Sequence, residues 1–407
     1  MRIALNGWFW DQPHTGSGQY LCALAEYLPE AAPEHEYIIV VPPHISGFTS
    51  HASRITHHVS SRTAFRPVPV GRVTLHVAPS PISRSNLGKV IFEQLTFPQS
   101  CRVLHADLAH VPYWAPPLRS PVPIVVTVHD LIPLILPEYR GSLVARLYTA
   151  LVSAATTGAA FVIADSESSR ADVLAHLGLP SAKVRAIHLA AGPEYRPSNS
   201  FDLDPALKEK YSLPDSYVLY LGGFDPRKNV GTLIAAWTWA ADSIGEAYPL
   251  VIAGRLPPRS DAFFADYPAQ AAGLKIAEGV RFIGHVDEAD KPGLYRGAAC
   301  FVFPSRYEGF GLPVLEAMAC GTPVITTSAG SLAEVAGDAA YLVSPDDARS
   351  IGAAIIATIV QENLADDLRE KGLAQAAKFS WEKTARETVN VYEEGMGKRE
   401  TKGNKGN

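Results

Sequence analysis

Glu308-Gly-Phe-Gly-Leu-Pro-Val-Leu-Glu-Ala-Met-Ala-Cys-Gly-Thr-Pro-Val-Ile325 is the stretch whose reading decides the fold. Its Gly-rich opening reads as a turn. Pro313 suits a first helical position, where a missing N–H has no intrahelical partner to lose. Val314 to Cys320 reads as a buried helix, stopped by Gly321-Thr-Pro323, and Val324 opens an apolar strand. Glu308 is then expected in the loop before the helix and Glu316 on its first turn. Between them the backbone N–H groups of Gly309, Phe310, Gly311 and Leu312 are expected to meet an anion at the positive helix end.

Outward from this stretch, short β-branched apolar runs alternate with helical patterns. Ile3–Leu5, Tyr37–Val41, Asp107–His110, Ile124–Val128, Phe161–Ala164 and Val184–Leu189 form one series. Tyr217–Leu221, Leu250–Ala253, Val280–Ile283, Cys300–Phe303, Val324–Thr326 and Ala340–Val343 form a second. Strands of this kind between helices imply α/β architecture with parallel sheets covered on both faces. The polar, Pro-containing stretch at 192–214 separates the series as a linker. The expected domains are 1–195, joined by a returning helix at about 380–396, and 210–378, with 397–407 a disordered tail. Doubly wound sheets bind ligands at the carboxyl ends of their strands, so a site is expected in a cleft between two domains.

The chain has 407 residues, 47% hydrophobic and 19% charged, an ordinary globular composition. A formal charge of −5 gives no electrostatic case for a nucleic-acid partner. Cys22, Cys101, Cys300 and Cys320 are widely spaced, without a C-x-x-C, and read as reduced thiols of a cytoplasmic protein. The opening Met-Arg-Ile-Ala-Leu-Asn lacks the apolar length of a signal peptide, and nowhere do eighteen apolar residues run together. The expectation is a soluble chain able to touch a membrane surface.

Four further stretches lie where strands end. Tyr220-Leu-Gly-Gly-Phe-Asp-Pro-Arg-Lys-Asn229 places Arg227 and Lys228 to neutralise a diphosphate, one as a planar fork and one as a point charge. After Ile3–Leu5, the loop through Gly16-Ser17-Gly18 lets the backbone approach a ligand at a helix N-terminus. It is not a full G-x-G-x-x-G, which argues against a dinucleotide enzyme. Trp8-Phe-Trp10 in that loop either stacks on a sugar or anchors the loop in the core. His129 closes strand Ile124–Val128 at the ligand edge of the first sheet, with Asp130 beside it. Ser166–Arg170 reads as a structural helix cap. Asp202-Leu-Asp204 has no flanking strand, and His57-His58 has no further ligands, so no metal is expected. Two acids that accept sugar hydroxyls, with donors that hold a phosphate, suit a sugar nucleotide.

The joined string from Glu308 to Val324, followed by Gly330-Ser-Leu-Ala-Glu334, resembles the retaining glycosyltransferases of family 4, which have the GT-B fold. The resemblance implies two Rossmann-like domains facing across a cleft and a final helix that returns to the first domain. It also implies a nucleotide-sugar donor as co-substrate, no cofactor, and a saccharide or lipid-linked saccharide acceptor. On this resemblance His129, Glu308, Lys228 and Arg227 are catalytic. Arg227 stands in for an arginine that many members carry where this chain has Gly223. Gly16, Ser17 and Gly18 reach the donor phosphate, and the Gly284-His285 turn lies beside the base. Glu316 takes the ribose hydroxyls, Glu308 the hexose, and Glu334 supports the pocket. Trp8 and Trp10 border the acceptor, and Asp130 either orients the His129 ring or borders the acceptor. Arg227-Lys228-Asn229 together with His129-Asp-Leu-Ile-Pro133 looks like the GDP-mannose-type mannosyltransferases of bacterial O-antigen and polysaccharide synthesis, working at the inner membrane face. UDP-glucose as donor, a sugar-nucleotide epimerase and a non-catalytic sugar-nucleotide binder remain the alternatives.

Overall fold

The structure is a computed structural model that describes residues 1–48, 73–78, 85–198, 204–257 and 263–403. His57, His58 and Asp202 lie outside these residues. Asp204 caps a helix, its side chain accepting from the Ala206 N–H at 2.9 Å. The chain divides into two compact units, Met1–Leu189 with Trp381–Asn407, and Ala190–Ser380.

The first unit holds β1 (Arg2–Asn6), β2 (Glu36–Val41), β3 (Val73–Val77), β4 (Leu108–Val111), β5 (Ile124–Val128), β6 (Phe161–Ala164) and β7 (Val184–Ala186). All pair in parallel, in the order β3-β2-β1-β4-β5-β6-β7. The order reverses between β1 and β4, which opens a crevice at their carboxyl ends. The central strands are apolar on both faces because helices cover both. The edge strand β3, Val-Thr-Leu-His-Val, buries only Val73 and so lacks the continuous apolar run that marks the others.

The second unit holds β8 (Val218–Leu221), β9 (Leu250–Ala253), β10 (Val280–Gly284), β11 (Cys300–Phe303), β12 (Val324–Thr327) and β13 (Tyr341–Val343). Its order is β10-β9-β8-β11-β12-β13, again parallel, with the reversal between β8 and β11. Helix Pro205–Tyr211 falls inside the stretch read as a linker. It is tied down by Lys210, 2.7 Å from Asp287, and by the Tyr211 hydroxyl, which donates to Asp290 at 2.7 Å.

The last helix, Trp381–Gly403, belongs to the first unit. Its Tyr392 hydroxyl lies 2.6 Å from His110 Nδ1, Thr384 Oγ1 donates to the His188 carbonyl at 2.6 Å, and Glu394 pairs with Arg185 at 2.7 Å. The sequence reading ends this helix near 396 and leaves 397 onward disordered. The helix instead continues to Gly403. Gly395 lies against Leu108 and Phe161, and the helix-forming run from Lys398 continues the turn. Residues 404–407 lie outside the described ones.

His110 is fully buried, and burial, followed by the nearby His129, brings its pKa down to about 3. It is therefore neutral. Thr127 Oγ1 donates to the Tyr20 hydroxyl at 3.2 Å, so His110 Nε2–H donates to Thr127 at 2.9 Å and Nδ1 accepts from Tyr392. Tyr392→Phe leaves that acceptor buried and unpaired. We expect a loss of about 1–3 kcal/mol, read by calorimetry of the unfolding transition. An unchanged transition would contradict this assignment.

Candidate functional site

In the second unit the turn after β8 and the loop after β11 meet at the β8/β11 reversal. Asn229 starts helix Val230–Ile244 in a left-handed conformation, φ 61°, which Asn tolerates better than most residues. Its buried amide donates to the carbonyls of Pro304 at 3.0 Å and Pro345 at 2.6 Å. The Arg227 carbonyl accepts from the Arg306 N–H at 2.7 Å and from Ser305 Oγ at 3.0 Å. The two loops thus form one body before any charge is considered.

Glu308 closes that body. Its carboxylate is 2.7 Å from Arg227, 2.7 Å from Lys228, and accepts from Ser305 Oγ at 2.6 Å. Burial alone would raise its pKa. The Lys228 and Arg227 charges beside it reverse that and hold it below the usual carboxylate range. Arg227 also pairs with Asp225 at 3.1 Å, and Lys228 lies 4.9 Å over the Phe303 ring. The four charges sum to zero, so the cluster offers directed N–H donors rather than a net positive field. The backbone of Glu308 is clamped as well. Ser331 Oγ donates to the carbonyls of Glu308 at 3.0 Å and Phe310 at 2.6 Å, and Gly330, at φ 60°, admits no side chain because a Cβ would lie 2.6 Å from the Glu308 carbonyl.

Helix Leu312–Ala319 follows, with Gly311 as N-cap, so Pro313 takes the second helical position and Glu316 sits on the second turn rather than the first. Glu316 is 6% exposed and accepts from the Tyr295 hydroxyl at 3.0 Å. Burial outweighs Lys291 and Tyr295 and raises its pKa. Phe310 is buried against Phe379, ring centroids 5.9 Å apart, so within the Gly309–Leu312 turn it serves packing. The Gly284 carbonyl accepts from the Gly254 N–H at 2.7 Å, His285 is exposed, and Glu334 is half-buried on helix Leu332–Ala336.

In the first unit His129 lies directly after β5. Its Nδ1 is 2.7 Å from Asp165 and its Nε2 is 3.2 Å from the Pro112 carbonyl. Both partners accept only, so both ring nitrogens carry hydrogen and the ring is an imidazolium. The pKa direction agrees. Burial pulls it down, but the Asp165 carboxylate overrides this and the net shift is upward. The orienting acid is therefore Asp165 rather than Asp130, whose carboxylate accepts from the Ile132 N–H at 3.2 Å. Asp165 directly follows β6, in the strand-end position that singled out His129; Ser166 beside it is the helix cap expected from sequence.

The N-terminal loop divides differently from its reading. Thr15 caps helix Gly16–Ala31 and takes the Gly18 N–H at 3.2 Å. A Cβ at Gly18 would lie 2.0 Å from the Gln12 carbonyl, so that glycine serves loop packing, whereas Gly16 is exposed with open space around it and Ser17 is half-buried. Trp8 is the anchor, 6% exposed and 5.5 Å from both His44 and Phe92, while Trp10 is half-buried.

Comparison with known proteins decides the family. Residues 14–193 match the model for Glycosyltransferase Family 4, and residues 205–375 the model for Glycosyl transferases group 1. The O-antigen chain mannosyltransferase B of Escherichia coli is 34% identical over 270 residues, which cover 66% of this chain and 69% of that protein. The chain belongs to glycosyltransferase family 4. The Escherichia coli serotype-specific mannosyltransferase WbdA is 35% identical over 263 residues, 64% of this chain but only 32% of that longer protein. Sucrose-phosphate synthase of Thermosynechococcus elongatus superposes over 97% of this chain and 98% of its own, with a TM-score of 0.69 at 23% identity. That likeness shows the fold, GT-B with its two Rossmann-like domains.

A raised histidine pKa contributes stability that is present below the unfolded value and lost as pH rises through the folded one. In Asp165→Asn the His129 ring should titrate at lower pH than in the unaltered glycosyltransferase, and the alkaline loss of stability should begin earlier. Proton NMR of the imidazole reads the first. A titration midpoint unmoved by the substitution would rule out the Asp165 pairing.

Proposed function

We propose that this glycosyltransferase moves mannose from GDP-mannose, with retention, to a hydroxyl of a saccharide or lipid-linked saccharide. The observation that carries the reading is the Arg227–Glu308–Lys228 cluster at the β8/β11 reversal, the ligand edge of a doubly wound sheet. The printed activity of the two mannosyltransferase relatives supports the choice of sugar. Arg227 and Lys228 direct N–H groups to the leaving diphosphate. Glu308, kept ionised, accepts hexose hydroxyls, and Glu316 accepts those of the ribose. Gly284 and His285 border the base, with Glu334 behind the pocket.

The bond from the anomeric carbon to the diphosphate oxygen breaks first, giving oxocarbenium character. The acceptor oxygen then bonds to the same face, and its proton passes to the departing phosphate oxygen. Catalysis is charge stabilisation and positioning, for which the cluster needs neither a metal nor a cofactor. His129, as an imidazolium, acts as a fixed donor and charge rather than as a base. Asp130 and Trp10 stay on the acceptor side.

A surface of the first unit supports contact with an anionic bilayer at the cytoplasmic face. Among the described residues no helix is long and apolar enough to cross a membrane. Helix Leu143–Thr157 nevertheless turns Leu143, Val144 and Leu147 outward, 72%, 75% and 63% exposed, and Leu87 and Leu95 stand 69% and 66% exposed on the helical segment before it. Tyr148 joins the two segments, its hydroxyl taking Lys89 Nζ at 3.3 Å and donating to Glu93 at 2.8 Å. Arg146 is exposed on the same helix, Glu138 and Arg140 are exposed just before it in sequence, and Arg119 is exposed beside Leu118. Leucines with arginines suit lipid headgroups, at about 1 kcal/mol per cation. A second copy would bring the same arginines against one another.

GDP-mannose should raise the thermal midpoint more than UDP-glucose does, and Lys228→Ala and Glu316→Ala should each lower kcat at least ~100-fold in folded protein. Turnover should survive EDTA, with the product anomeric centre retained by NMR. Wild-type turnover in both variants, or an inverted product, would overturn the mechanism. Sedimentation with vesicles of three parts phosphatidylcholine and one part phosphatidylglycerol should capture the protein. Leu143→Gln with Leu147→Gln should release it, and equal recovery of variant and parent would refute the bilayer surface.

A further inference from the structure

The crevice at the β1/β4 reversal of the first unit carries a cluster that the reaction scheme leaves unused. Asn6 ends β1 and is fully buried. Its Oδ1 accepts from the Trp8 N–H and from the Tyr113 hydroxyl, each at 3.1 Å, while its Nδ2 has no partner among the described residues. Tyr113 lies just past β4, next to Pro112, whose carbonyl holds His129. Over Tyr113 stands Lys89, with its ammonium 5.1 Å from that ring centroid, 5.4 Å from Tyr148 and 5.5 Å from Phe9. The same ammonium is 3.2 Å from Glu93 and donates to the Tyr148 hydroxyl at 3.3 Å.

Hydrogen-bond arithmetic leaves donors over. An ammonium has three N–H groups and a carboxamide two. Tyr148 accepts one of those on Lys89, whose ammonium is otherwise only in ion-pair range of Glu93, and the Asn6 Nδ2 has no partner among the described residues. Lys89 faces the buried carboxyl of Glu93, whose pKa burial raises against the opposing pull of Lys89. The Lys89 side chain is 25% exposed. The position is rigid. Three rings fix the ammonium, and Glu93 lies in a π-helical turn, Phe92–Thr96, a register that recurs at functional sites. Spare donors beside a half-buried Phe9 ring, on a lysine already facing a carboxyl, suit the hydroxyls of a polyol.

We propose that Lys89 and the Asn6 amide are specificity-determining groups that bind hydroxyl oxygens of a neutral sugar ring of the acceptor. The idea rests on the glycosyltransferase reading for its ligand class, but not on the identity of the donor. It also replaces Trp8, which is committed to the core, by Phe9 as the aromatic contact in the loop.

The test is saturation-transfer NMR of the full chain with methyl α-glycosides of mannose, glucose, galactose and N-acetylglucosamine. At least one should receive saturation, Lys89→Met should weaken its binding at least tenfold, and Lys371→Met, exposed on the other unit, should leave it unchanged. The thermal shift with GDP-mannose should be the same in Lys89→Met as in the parent. Glycoside binding that depends on Lys89 without any GDP-mannose shift would sink the donor reading and leave this one standing. No binding of any glycoside, or parental affinity in Lys89→Met, would overturn the proposal. If Lys89→Met does not fold, Lys89→Arg is read in its place. Arginine keeps the ion pair and moves the donors, so reduced affinity supports the site and parental affinity overturns it.

Discussion

A carboxylate buried without compensation gives up its charge; Glu308 keeps it because two cations and a hydroxyl converge on it. The convergence depends on topology. At a strand-order reversal the connections after β8 and β11 leave toward opposite faces of the sheet, and nothing in the backbone ladder holds their ends together. Asn229 and Ser305 bridge the two loops with hydrogen bonds, and the Glu308 pairs close the gap. Breaking a buried pair by removing one partner is far more costly than replacing the pair as a whole. The three groups therefore stand or fall as a unit, and the geometry of the β8/β11 edge follows from that.

Glu308 and Glu316 flank one turn, yet they occupy opposite electrostatic regimes. The first faces cations and is held ionised, while the second lies beneath Tyr295 with its pKa raised by burial. Two acids with diverging pKa values often signal an acid–base pair. Here the low one is locked in ion pairs and the high one accepts a tyrosine hydrogen bond, so neither is free to shuttle a proton. Their contrast suits them to hold different parts of one ligand.

Much of the fold was legible because its signals are local. Buried parallel strands write themselves as apolar runs, and ligand-edge residues sit directly after them, which brought out Arg227, Lys228, Glu308 and His129. What escaped the reading depends on neighbours distant in sequence. β3 is an edge strand with little to bury. Asp165 could be matched to His129 only once β5 and β6 were known to be adjacent. Trp8 and Gly18 carry residue types that suit ligand contact, and only their surroundings, Phe92 for one and the Gln12 carbonyl for the other, assign them to packing. Placing Glu316 on the second turn needed the cap at Gly311, because Pro is tolerated at either of the first two helical positions.

The helix Trp381–Gly403 has a bearing on how the molecule is made. It follows the second unit along the chain, yet it completes the first. Until it emerges, His110 lacks its tyrosine, and Tyr20, whose ring edge meets His129 at 5.2 Å, lacks Trp381 beside it. The first unit therefore needs residues from both sides of the second before its own core is complete, a departure from simple N-to-C domain folding. Until the helix docks, the unit that carries His129 stays open.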